Sequence, residues 1–204
     1  MDVSLAARLR AYAAVFNADH YHAAHDALEP RYLEATGEER DLLQGLIQYA
    51  AAAHHVHGGN RDGATGLAVS ALEYLDGVDD RGVDLDPVRA WLRAVGEDYD
   101  AVAGRRPPAV ELDGDRPTLS DLGYPEAAVA APLVAEATGY DADVLEAGAA
   151  YALDDLAADE VGSPFVTLVL DFLEGDRRSV IVQRLGQHVQ RRRAREDDVA
   201  GLFD

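Results

Sequence analysis

Apolar residues recur along most of this chain at the spacing of an α-helix rather than the alternation of a strand. Leu5, Leu9, Tyr12, Ala13 and Phe16 form the first stripe. It ends at Asn17, which can cap a following helix with Phe16 and Tyr21 stapled across its start. In that short helix Pro30 lacks an amide proton and its ring collides with the Asp26 carbonyl, so a kink or stop is expected there. A third helix is expected from about Glu38 to His57, closed by Gly58-Gly59. Asn60 opens a fourth, with Ala64, Leu67, Ala68, Ala71, Leu72 and Leu75 on one face. Asp86-Pro87 reads as an N-cap and first helical position for Val88 to Ala103, with Trp91 and Leu92 inward.

Between Gly104 and Pro117 the composition shifts to Gly, Pro, Arg and Asp, as in a linker. Ala109–Leu112 and Thr118–Leu119 flank Asp113-Gly114, a short hairpin signal. Beyond it the helical pattern resumes. Glu126–Thr138 contains Pro132, and Asp143 and Glu146 stand at capping-box spacing before Ala147–Leu156. Ser163-Pro164 opens the apolar Phe165–Leu173, and Val180–Arg195 is amphipathic first and basic late, as suits a helix C-terminus. The expectation is an all-α protein: an antiparallel helical bundle over residues 1–103, a Pro/Gly-rich connector over 104–117, and an additional C-terminal helical segment over 118–204. Residues 42–60 carry no Asp, Glu, Lys or Arg. Their glutamines, histidines and glycines argue for a buried soluble helix and against a membrane span.

Charge narrows the classes further. The 204 residues hold 38 acidic against 18 basic side chains, a formal net charge of −20, and every basic residue is arginine. Such a surface resembles that of halophile proteins, in which molar salt shortens the Debye length to about 3 Å and screens self-repulsion. It excludes a basic nucleic-acid clamp. The run Arg191-Arg192-Arg193-x-Arg195 is followed at once by Glu196, Asp197 and Asp198, and reads as a solvated helix end. There is no cysteine, hence no disulfide or thiolate chemistry, and the first residues lack a signal peptide's apolar run. A cytoplasmic location is expected.

The histidines are the least accidental feature. Six of the seven, at 20, 22, 25, 54, 55 and 57, lie within 38 residues. His22, His25, Asp26 and Glu29 share one helical arc roughly 100° wide. On the longer helix Gln44, Gln48 and His55 occupy a strip about 40° wide, surrounded on every other side by apolar residues. A helix apolar all round is buried, so this strip needs polar partners. The imidazole and carboxylate face upstream is the natural one, because short connections make consecutive helices neighbours. The expected site is therefore a buried convergence of His25, Asp26, Glu29, Gln44, Gln48 and His55. Imidazole beside carboxylate suits a divalent metal held by His25, Glu29 and His55, or general acid/base work. The alternative is a hydrogen-bonded network that only sets helix register.

The assembled residues are Phe16-Asn17, Tyr21-x-x-x-His25-Asp26-x-x-Glu29-x-x-Tyr32, Gln44-Gly45-x-Ile47-Gln48-x-x-Ala51 and His55-x-x-x-Gly59-Asn60-x-x-Gly63. Over about residues 8–76 this pattern resembles the signature of the DUF309 family of uncharacterised helical proteins. Family members usually carry glutamate and tryptophan where this chain has Asp26 and Tyr32. The resemblance implies an all-α bundle without assigned activity. Three functions stay open: a site for a small polar ligand or a divalent metal, a metal-assisted hydrolase, and an interaction module whose C-terminal segment docks on a partner or a second copy.

Overall fold

The computed structural model describes residues 3–200. Among them the chain forms α-helices and no strand, in the expected all-α class. The helices are α1 (Leu5–Asn17), α2 (Tyr21–Glu34), α3 (Gly37–His57), α4 (Arg61–Tyr74), α5 (Leu85–Glu97), α6 (Tyr99–Val102), α7 (Glu126–Ala137), α8 (Ala142–Ala157), α9 (Pro164–Glu174) and α10 (Arg178–Ala200). They sort into two compact units, one spanning Ser4–Thr118 and the other built from Leu119 onward.

In the first unit each of α1 to α5 packs on its successor. The core is built on Leu9, Tyr12, Phe16, Leu28, Leu42, Leu43, Leu46, Tyr49, Leu75 and Leu92, all almost fully buried. Two buried phenols find acceptors: Tyr12 donates to the Leu46 carbonyl at 2.8 Å and Tyr49 to the Pro108 carbonyl at 2.7 Å. Burial pushes both hydroxyls far above the ordinary tyrosine pKa, with Tyr12 and Tyr21 adding to it at Tyr49. Gly45 brings α3 close to α4, since a Cβ there would stand 2.4 Å from Leu75 Cγ.

Several punctuation marks act differently from the sequence expectation. Asn17 is the last residue of α1 and caps nothing downstream. Its amide instead donates to the carbonyls of Val110 and Pro117, both at 3.0 Å, while its Oδ1 accepts from the Val110 N–H at 2.9 Å. Residues 104–117, expected as a connector, are thereby tied into the first unit. Phe16 and Tyr21 do meet, with ring centroids 4.9 Å apart. α2 continues through Pro30 to Glu34; one absent backbone bond is outweighed by the packing of the whole helix. The cap of α5 is Asp84, which places Pro87 third in the first turn rather than at the first position. Asp113-Gly114 makes a tight turn that pairs Leu112 with Asp115, and Leu112 also bridges Val83, not residues 118–119.

In the second unit α7 to α10 enclose Val134, Leu145, Val169, Phe172 and Leu185. Gly148 lets α8 approach α10, since its Cβ would lie 2.7 Å from the Leu185 methyls. The cap of α8 is Asp141, not Asp143, whereas Ser163 and Pro164 open α9 as expected. No helix among the described residues is long and apolar enough to cross a membrane.

Candidate functional site

α2 turns Tyr21, Ala24 and Leu28 into the core, so the arc carrying His22, His25, Asp26 and Glu29 falls on the outer side. The expected burial is corrected accordingly: the side chains of His25 and Asp26 are 29% and 35% exposed, and Glu29 is exposed. These three nevertheless form one cluster. His25 Nδ1 lies 2.7 Å from Asp26 Oδ1, and ligand atoms from His25, Asp26 and Glu29 all lie within 4.8 Å of one another. With Nδ1–H donating to Asp26, the neutral ring keeps its lone pair on Nε2.

The α3 strip does not complete this cluster. Gln44, Gln48 and His55 are half-buried, and among the described residues none of them hydrogen-bonds to α2. His55 Nδ1 is 3.1 Å from the Asn60 amide nitrogen, whose partner oxygen accepts from the Gly63 N–H to cap α4. Gln48 Oε1 is buried with no hydrogen-bond partner among the described residues. The reason is angular. Successive residues on a helix diverge by about 100°, so His54 and His55 cannot both face α2, and it is His54 that does.

Across the α2–α3 seam the rings of His22 and His54 meet at 5.4 Å. His25 stacks on His22 at 6.3 Å with planes 9° apart, and His55 lies 5.8 Å from His54. The four imidazoles form a row from one helix to the other. Burial, followed by the neighbouring His22, His55 and His57, holds His54 below the usual histidine pKa, so this ring is predominantly neutral near pH 7. Periodicity puts His22 at the edge of the α2 arc and His54 outside the α3 strip. The signal that could have found them is the pair of adjacent histidines, one of which must occupy the seam if the other follows the glutamine strip.

A separate depression of about 250 Å³ lies at the end of the same helices, lined by Tyr21, Val56, His57, Arg105 and Pro107 among others. On its rim Tyr21 donates to Asp19 Oδ1 at 2.7 Å, as does Arg106 Nε at 2.7 Å. Burial and then Asp19 push the Tyr21 hydroxyl up to about 12.

No curated protein matches the chain. Residues 9–67, which run from α1 into α4 and contain all the residues of the site, match the model of DUF309, a domain of unknown function, as their motifs led us to expect.

Proposed function

We propose that the DUF309-matching segment binds a divalent transition-metal ion through His25, Asp26 and Glu29 at the surface of α2. The observation that carries this reading is the convergence of one imidazole and two carboxylates within 4.8 Å. A mixed nitrogen and oxygen set suits Zn²⁺ or Mn²⁺. Three protein donors on a half-exposed face leave coordination positions for water or a small polar ligand, which is also the arrangement a metal-assisted hydrolase needs. His55, held by Asn60, lies outside this donor set, and Gln44 and Gln48 stand apart from it on α3.

The interaction-module reading draws on the His22–His54 contact, which fixes α2 against α3 without a ligand. Titration calorimetry of chelator-stripped protein with Zn²⁺ separates the two. One ion per chain is expected, with affinity falling at least tenfold in Glu29→Gln or His25→Ala and unchanged in His55→Ala. Equal affinities in wild type and Glu29→Gln would sink the metal reading.

A further inference from the structure

The second unit contains a cleft that the DUF309 match does not reach. It has a volume of about 360 Å³ and lies where the turn between α8 and α9 meets α10, in the size range of about 300–1,000 Å³ typical of small-ligand sites. His188, Arg191, Arg192 and Arg195 line it from α10. Their offsets along the helix place them on one face.

The arginines divide by what they touch. Arg192 reaches Asp155 Oδ1 at 3.2 Å and Glu196 Oε1 at 3.3 Å, and Glu160 on the cleft wall also acts on its charge. Asp155 is 1% exposed and accepts from the Ser163 hydroxyl at 2.6 Å, while Ser163 caps α9. Arg192 is thus the fixed member, its charge answered. Arg191 and Arg195 take part in no ion pair among the described residues, although they stand one turn apart as like charges. In a chain with 38 acidic side chains, carboxylates to neutralise them are abundant, yet Glu160 and Asp155 serve Arg192. Nor does the helix dipole account for the run. α10 continues to Ala200 and has no basic residue in its last turn, so the arginines lie inside the helix rather than at its C-terminus.

We propose that this cleft binds a small soluble phosphorylated anion, with Arg191 and Arg195 as its two guanidinium forks and the Asp155–Arg192 pair as the rigid wall behind them. Guanidinium matches phosphate oxygens two at a time, and two forks one helical turn apart suit an anion bearing two phosphoryl groups. Phe165 and Pro164 supply the apolar side of the cleft, against which the non-phosphate part of such a molecule rests.

Titrating inorganic pyrophosphate into the full chain, with EDTA present so that metal binding cannot contribute, tests this. Saturable binding of one pyrophosphate per chain is expected. The double variant Arg191→Ala/Arg195→Ala should weaken it at least tenfold, whereas Arg184→Ala, which removes a charge of the same helix outside the cleft, should change it less than twofold. Both cleft arginines are exposed and mutually repelling, so the double variant should melt no earlier than wild type. Absence of saturable binding to 1 mM, or equal weakening by Arg184→Ala, would overturn the proposal. Because the metal site lies in α2, failure there leaves this result unaffected, and the reverse holds too.

Discussion

Asp155 is the side chain whose environment allows least freedom. Its carboxylate is almost wholly buried, with one oxygen on Ser163 and the other on Arg192. Asp155→Ala leaves the buried Ser163 hydroxyl without its acceptor, whereas Arg192 is 31% exposed and keeps Glu196, so the variant should lower the urea unfolding free energy by about 1–3 kcal/mol. Ser163→Ala should cost about 1–2 kcal/mol through loss of the α9 cap and one carboxylate partner. The opposite sign is expected at Gln48. Its Oε1 is buried without a partner among the described residues, and exchange for an apolar side chain of similar length removes that penalty, so Gln48→Met should stabilise by about 1 kcal/mol in the same assay. Little at this scale was legible in the sequence. The cluster on α2 could be read from residue spacing, because His25, Asp26 and Glu29 fall within about one turn of each other. The partner of each α3 side chain could not, because that depends on how far each helix is rotated about its axis, which neighbours decide.

Among the elements, α3 and α4 are bound by a contact that only a glycine permits. At Gly45→Ala the new methyl carbon would meet Leu75 Cγ at 2.4 Å, and Leu75 is fully buried with no room to withdraw. Overpacking of this kind costs about 1–3 kcal/mol, and thermal unfolding followed by circular dichroism should show it. The caps of α5 and α8 fall two residues before Asp86 and Asp143, on Asp84 and Asp141, whereas Ser163, Asn60 and Pro164 stand where their chemistry suggests, since a cap is a local bond. Asn17 was misread for the same reason, as its side chain spends its bonds on Val110 and Pro117, far beyond any window of helical periodicity. Pro30 shows the converse: the stop it favours is overridden because the helix around it is held by its packed face.

At the scale of the whole molecule, the acidic surplus and the histidines set the response to pH. His54 and His188 are both held below the ordinary histidine pKa of 6.5 by burial first, then by neighbouring imidazoles in one case and by Arg191 in the other. A depressed histidine binds its proton more readily when unfolded. Its contribution to stability is therefore complete above about pH 6.5 and fades as pH falls through the window below. Melting temperature should decline from pH 7 to pH 5, and the decline should be shallower in His54→Gln. An unchanged slope in that variant would place the acid sensitivity in other groups; Asp19, whose carboxyl burial raises but Arg106 and Tyr21 pull lower still, loses its contribution only below about pH 5.

The clasp formed by Asn17 bears on how the chain is made. Its acceptors lie 93 and 100 residues farther along, so a polypeptide emerging from the ribosome can lay down α1 to α5 and still leave that amide waiting on water. The first unit closes only after Pro117 has left the exit tunnel, and until then its final tether is absent from the nascent fold.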